Sequence, residues 1–498
     1  MKNTRELYAS YQLRLQRIAD LRNANAVLQW DQETYLPPKG AALRGQQIST
    51  LSELAHQLFT EDSLGDLLQE LAHRDDVSFP EKRNVELTLE DYNRNKKYSS
   101  AFVRQMSEQV NKTYHAWIEA RRGNSFALFE KDLTALVELK KQETDILGYE
   151  HHPYNALLNE YEKGCTVELL DRTFGHILPD LKELTGRIAA KPQVDDTFLF
   201  QHFPRQQQWD WGMHLIKELN FNLDAGRQDV SEHPFSTSFN PGDVRITTRI
   251  DENDLGNMTW SCIHEVGHGL YEQGLPEDQY GLPLGEACSY SIHESQSRLW
   301  ENNVGRSRTF WQHYLPQLKQ YFPGQLAQVD LEQFYRGINR VQPSLIRTEA
   351  DEITYHFHVY IRYQLEKSLI EGTLAAKDLP AFWNEQYKKL LDVQVPDDKR
   401  GCLQDVHWSH GSFGYFPTYS LGSFYAAQLY AAAQKSLPNL EQEIATGNSR
   451  SLLQWLRSGV HAKGRIRNSE ELCREVTGET LNSAYFLQYL LDKYAGIY

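Results

Sequence analysis

Residues 263–276 read Ile263-His264-Glu265-Val266-Gly267-His268-Gly269-Leu270-Tyr271-Glu272-Gln273-Gly274-Leu275-Pro276. At about 100° per residue, Ile263, Val266 and Leu270 cluster into one stripe, the pattern of a helix facing a core. Gly274-Leu275-Pro276 supplies the stop. His264 and His268 lie four residues apart, so both fall on one face beside that stripe and can bind the same metal ion. Glu265 lies further round, on the cleft side, where a carboxylate can take a proton from metal-activated water. Two ordinary helix-surface histidines would leave no reason for the small Gly267 and Gly269 next to them. A pentad of this kind arises by chance in about one chain in twenty of this length and composition. The surroundings must therefore decide.

A hydrolytic zinc site commonly takes three protein ligands and leaves the fourth position to water. No His follows His268 at the spacing of the extended motif, so a Glu is expected, and Glu272, Glu277, Glu286 and Glu294 are the candidates. Glu272 is on the same helix and points away from the imidazoles, while Glu277 lies in a Pro-flanked turn. Glu286 and Glu294 belong to a second helical stretch, roughly 285–303. The helix dipole already explains Glu286 in the first turn of that stretch. Glu294 shares a face with the small Ala287, Ser291 and Ser297, which would let another helix approach. On spacing it is the better candidate, with Glu286 next.

Outward from this centre the chain reads as overwhelmingly helical. Helical periodicity covers 3–29, 41–73, 80–122, 125–147, 166–190, 206–220, 328–340, 346–371 and 378–392, and most of the C-terminal third. One stretch differs. Val244, Ile246, Thr248 and Ile250 alternate with Asp243, Arg245, Thr247 and Arg249, the period of a strand. With Ser236-Thr237-Ser238-Phe239 and the turn Asn240-Pro241-Gly242-Asp243, this predicts a β-hairpin at 235–250 beside the metal helix. Its edge could hold an extended peptide by backbone hydrogen bonds.

No Pro/Gly/Ser-rich linker, low-complexity run or internal repeat divides the 498 residues. We expect a mainly α, bilobed zincin-type peptidase with a deep central cleft, forming one unit over 1–498. Its helical N-terminal part runs to about 230, a metal-site core spans about 231–430, and a helical C-terminal part spans 431–498. The net charge of −15 argues against nucleic acid or an anionic membrane as partner. Five cysteines, Cys165, Cys262, Cys288, Cys402 and Cys473, form no pairing pattern. That points to a reducing compartment, and with no apolar leader at Met1-Lys2-Asn3 the cytoplasm is expected.

Further blocks occur in order along the chain: Trp30-Asp31-Gln32-Glu33-Thr34-Tyr35-Leu36-Pro37-Pro38; His233-Pro234-Phe235; Asp243-x-Arg245-x-Thr247; His293-Glu294-Ser295-Gln296; Ile346-Arg347-x-x-Ala350-Asp351; and Gly401-x-x-Gln404-Asp405-x-His407-Trp408. Together with the HExxH pentad, they make the chain resemble the carboxypeptidase Taq family of metallocarboxypeptidases over nearly its whole length.

The resemblance implies a metal-dependent carboxypeptidase acting on peptides with a free C-terminus. His264, His268 and Glu294 would hold one divalent ion, Zn2+ first, with Co2+ or Mn2+ also suited to such ligands. Glu265 would be the general base. The His/Tyr-rich segment 410–419 resembles one in oligopeptidase-type zinc enzymes that supplies donors to the substrate. That role falls to Tyr419 first, then Tyr415 and His410. Arg347 is expected to bind the terminal carboxylate, with Asp351 as its orienting partner and Arg245 as an alternative anchor. The resemblance also implies a homodimer. An oligopeptidase cutting internally and a helical peptide-binding scaffold with a dead metal site are the alternative readings.

Overall fold

The computed structural model describes residues 3–498, so Met1 and Lys2 lie outside it. Helices dominate, and several predicted spans recur within a few residues, as at Ala127–Leu147, Val167–Ala189, Arg205–Glu218 and Leu379–Leu391. Longer predicted runs break. The run at 41–73 is two helices, Ala41–Phe59 and Asp62–Ala72, and that at 80–122 is Phe79–Lys96 and Ser100–Gly123. The Ser99 side chain accepts from the Phe102 amide at 3.2 Å, the capping bond that starts a new helix. The run at 346–371 divides into a turn, Arg347–Glu349, and a helix, Tyr355–Glu371. Asp351 accepts from the amides of Ile353 and Thr354, both at 2.9 Å. It therefore serves the chain entering that helix and does not orient Arg347.

Three strands, β1 (Gly226–Val230), β2 (Ser236–Asn240) and β3 (Asp243–Thr248), form one sheet in the order β1-β3-β2. β2 and β3 are the predicted hairpin, antiparallel with Thr237 opposite Arg245. β1 was not predicted. It pairs parallel with β3 and reads Gly-Arg-Gln-Asp-Val, without apolar alternation. Two of its buried polar side chains meet distant residues: Asp229 accepts from the Tyr35 hydroxyl at 2.5 Å, and the Gln228 Oε1 faces the Cys262 thiol at 3.2 Å.

The motif helix, Leu255–Glu272, begins at Asp254, whose carboxylate accepts from the Gly256 and Asn257 amides at 2.8 and 3.2 Å. Ile263, Val266 and Leu270 are fully buried in the main core, as the stripe predicts. A smaller core of N-terminal residues, among them Tyr11, Leu15, Leu68 and Val85, closes around Leu282. Polar bonds join the N-terminal helices to the main body. Asn23 donates to the Phe239 carbonyl at 2.8 Å and Asn84 donates to Gln279 at 2.9 Å.

Gly267 is where the motif helix meets its partner. A Cβ there would lie 2.6 Å from Ser297 Cα and 2.7 Å from the Gln296 carbonyl oxygen, both backbone. Gly267→Ala is therefore expected to lower stability by about 1–3 kcal/mol, the usual range for overpacking. Urea unfolding of the metal-free protein measures this, and an unchanged midpoint would show that the two helices can separate freely.

Candidate metal centre and active site

The second helix, Tyr290–Arg298, starts later than the sequence predicts and runs into a π-turn, Leu299–Gly305. Glu286 consequently lies before the helix and outside the centre, paired with Arg465 at 2.6 Å. Glu272 bonds His293 at 2.8 Å. Glu294 is brought to the imidazoles. Its Oε2 lies 3.7 Å from His264 Nε2 and 3.5 Å from His268 Nε2, and the three ligand atoms all fall within 4.8 Å of one another.

These distances are too long for good hydrogen bonds and fit a shared cation. Donors bound tetrahedrally to zinc at about 2.0–2.1 Å stand about 3.4 Å apart. The imidazoles are also held in the required tautomer. His264 Nδ1 donates to Glu301 Oε2 at 2.8 Å, and His268 Nδ1 donates to the His293 carbonyl at 3.1 Å. Both Nε2 lone pairs are left to face Glu294. Glu294 is itself fixed, accepting from Arg298 Nε at 2.7 Å and from the Ser297 hydroxyl at 3.0 Å.

Burial would raise the Glu294 carboxyl, but Arg298 and the two imidazoles outweigh it and hold the group well below the usual carboxylate range. Glu301 behaves alike: against burial, Arg298 and His264 bring it to about 2. Glu265 is the exception. Burial pushes its carboxyl up to about 7, only partly opposed by His264, and its buried Oε2 has no hydrogen-bond partner. A carboxyl poised there suits proton transfer near neutral pH.

Above this centre lie the aromatic residues of the segment 410–419. Tyr419 is hydrogen-bonded with His407 at 3.2 Å, and its ring lies 5.2 Å from that of Tyr415. Tyr415 meets Tyr161 and Tyr290 edge-on at 5.1 and 5.5 Å. Beyond those two rings a cavity of about 880 Å³ extends between the N-terminal helices and the body. His410 stands apart, exposed and set against Tyr114 at 4.9 Å. The imidazole that reaches Tyr419 is His407.

Both arginine candidates already have carboxylate partners. Arg347 is buried, with Nε donating to Asp405 at 3.0 Å and Nη1 donating to the Tyr355 hydroxyl at 3.0 Å. Its guanidinium lies 4.9 Å from the Tyr419 ring centre. Arg362 donates to the other oxygen of Asp405 at 2.6 Å, so two guanidiniums share one carboxylate and the cluster keeps a net positive charge. Arg245 is paired with Asp243 through two 2.9 Å bonds and is covered by the Trp30 ring at 4.4 Å. Its charge is locally neutralised.

Arg298 and Glu301 were not singled out in the sequence, and His407 stood in one of the family blocks without a role. Glu294, Arg298 and Glu301 are spaced i, i+4 and i+7, which places them on one helix face. That spacing was the available signal.

The family model of the carboxypeptidase Taq (M32) metallopeptidases matches residues 10–494. Carboxypeptidase 1 of Bacillus subtilis is 38% identical over 486 residues, covering 97% of each chain. Among solved structures, one named CHT is 58% identical with a TM-score of 0.97, covering 98% of this chain and 99% of that one. The M32 carboxypeptidase from Deinococcus radiodurans is 38% identical, also at 0.97, covering 99% of both. Matches of this extent, on a chain that already carries the HExxH helix and a converging glutamate, are decisive: it belongs to the carboxypeptidase Taq (M32) family of metallopeptidases.

Proposed function

We propose that this metallocarboxypeptidase removes residues one at a time from the free C-termini of peptides, with His264, His268 and Glu294 as ligands of one divalent ion and Glu265 as the general base. That the chain is a carboxypeptidase, and so a peptide hydrolase, follows from its family and relatives. Neither an internally cutting oligopeptidase nor a peptide-binding scaffold is favoured. The residue assignment is supported by one observation above all: two imidazole Nε2 atoms and one carboxylate oxygen converge beside a buried carboxyl that lacks a partner.

When bound, a divalent ion supplies Lewis acidity, acidifying water and polarising a carbonyl; Zn2+ is our first choice, with Co2+ or Mn2+ also compatible with His2Glu ligands. Glu265 takes the proton of the attacking water at Oε2 and passes it to the departing amine. Tyr419, with Tyr415 as its neighbour, donates its hydroxyl hydrogen to the developing oxyanion, and His407 orients it. His410 has no place in this step. The excess positive charge of Arg347 and Arg362 over Asp405 favours an anion, and we assign the substrate's terminal carboxylate to Arg347 in preference to Arg245. β2, an edge strand beside the motif helix, offers a line along which an extended peptide can lie.

The ligand assignment is tested by Glu294→Ala. Removing one protein donor is expected to leave less than stoichiometric metal after dialysis, while the fold, followed by circular dichroism, persists. Full occupancy would reject Glu294 as a ligand.

We further propose one bilobed catalytic unit, a cytoplasmic setting, consistent with five unpaired thiols, and a homodimer. Among the described residues, no helix is long and apolar enough to cross a membrane. Light scattering on the eluting protein is expected to give twice the 57.8 kDa chain mass. A monomer at micromolar concentration would contradict the dimer.

A further inference from the structure

The π-turn after the Glu294 helix has a carbonyl that is met from outside the turn. In an α- or π-turn the Asn302 carbonyl would accept from the amide four or five residues on. Those amides, of Arg306 and Ser307, both donate to the Val304 carbonyl instead. The Asn302 carbonyl finds its donor in a distant element, the helix Ala484–Ala495, where the Tyr489 hydroxyl reaches it at 2.9 Å.

That hydroxyl is held in its donating orientation. Lys493 Nζ donates to Tyr489 Oη at 2.9 Å and to Glu352 Oε2 at 2.6 Å. The ammonium has no acceptor, so the phenolic hydrogen is directed away from it, toward Asn302. The Lys493 and Glu352 side chains are only 5% and 4% exposed, and water competes little for these bonds.

Asn302 directly follows Glu301, the carboxylate that receives the Nδ1 hydrogen of His264 at 2.8 Å. Glu301 is also gripped by Arg298 at 3.2 Å and by Arg306 at 3.5 Å. Anchoring the carbonyl at 302 fixes the chain direction at 301, and through Glu301 the angle at which His264 presents Nε2. Partners that orient a metal-binding histidine typically change metal affinity about 10–100-fold when removed.

We propose that Tyr489 is a positioning residue of the metal centre: its hydroxyl anchors the π-turn at Asn302, the turn holds Glu301 against His264, and the C-terminal helix thereby sets how tightly the divalent ion is held. The inference rests on the ligand set proposed above. It concerns a residue on the C-terminal helix, 187 positions beyond the Asn302 carbonyl that it anchors.

The test is the Zn2+ affinity of the full-length protein, measured by competition with a chromophoric chelator. Tyr489→Phe removes one hydroxyl and is expected to raise the Kd for Zn2+ about 10-fold, and Glu301→Gln is expected to raise it by about 10-fold or more. Together they should weaken binding little more than Glu301→Gln alone, because both act through the same contact to His264. Incorporating 4-aminophenylalanine at 489, which still donates to Asn302, should restore affinity.

A tyrosine that merely packs would lower the unfolding temperature and leave the Kd of the folded protein unchanged. That result, or full additivity with Glu301→Gln, overturns the proposal. If Tyr489→Phe fails to fold, Lys493→Met is the second variant. It keeps the phenol but removes the ammonium that orients it, so a several-fold higher Kd is expected and an unchanged one overturns the proposal. Wild-type protein that takes up no Zn2+ would overturn the ligand set itself, which distinguishes the two failures.

Discussion

Glu265→Gln is expected to retain one equivalent of metal and to lose about 10²- to 10⁴-fold in kcat, the range for removal of a general base. The substitution is nearly isosteric and leaves His264, His268 and Glu294 untouched, so metal content should not change. Glu265 is buried, and its Oε2 has no hydrogen-bond partner that a new amide would disrupt. The fold should tolerate the change. Folding and metal binding are thereby separated from proton transfer. Stoichiometric metal with undiminished turnover would remove Glu265 from the mechanism, and loss of metal would mean that Glu265 supports the ligands as well.

The second large effect concerns the free chain end. Blocking the terminal carboxylate of a peptide as its amide is expected to cost about 2–5 kcal/mol in kcat/KM, the range for a buried charge-assisted contact. Arg347→Lys should cost a similar amount on the free acid, because a point charge cannot reproduce the planar fork. On the amide it should cost little, since the partner is already gone. Lysine is preferable to alanine here. Arg347 shares Asp405 with Arg362, and deleting its charge would alter a buried ion-pair cluster as well as a substrate contact. Additive losses would assign the carboxylate to another group, with Arg245 the next to examine.

Much of the centre was legible because it is local. His264 and His268 occupy one helix, and their spacing alone fixes their common face. Glu294 was singled out through the small Ala287, Ser291 and Ser297 on its face, and glycines on two facing helices show how closely this helix is approached, Gly267 against Ser297 and Gly422 against Glu294 itself. At Gly422, on the helix Pro417–Ser436, a Cβ would fall 2.5 Å from Glu294 Cγ. Helix content was legible from apolar periodicity, but its breaks depended on caps such as Ser99, and periodicity does not record a gap of a few residues. β1 was hidden because Gln228 and Asp229 are buried by virtue of Cys262 and Tyr35, residues no local window contains.

What the sequence withheld was long-range pairing. Arg347 was expected to meet the substrate with Asp351 as its orienting partner, yet the carboxylate that holds it is Asp405, 58 residues on. Asp351, one turn away, instead accepts from amides at the start of the next helix. His407 and His410 are equivalent by composition. In the fold His407 packs on Phe416 and reaches Tyr419, while beyond it His410, followed by the turn at Gly411 with φ of 74°, lies at the surface against Tyr114. The π-turn that carries Glu301 belongs to this class too, since its distinguishing hydrogen bond comes from the far end of the chain.

The central claim is that the His264–His268–Glu294 centre drives removal of residues from a free C-terminus. Mass spectrometry of products from one unmodified peptide and its C-terminally amidated twin tests it most directly, with the enzyme either metal-loaded or stripped by chelator. The account predicts a ladder of products shortened by single C-terminal residues. That ladder should appear from the free acid alone, with loaded enzyme alone, and should vanish with Glu265→Gln. Internal fragments, or equal cleavage of the amidated twin, would contradict it.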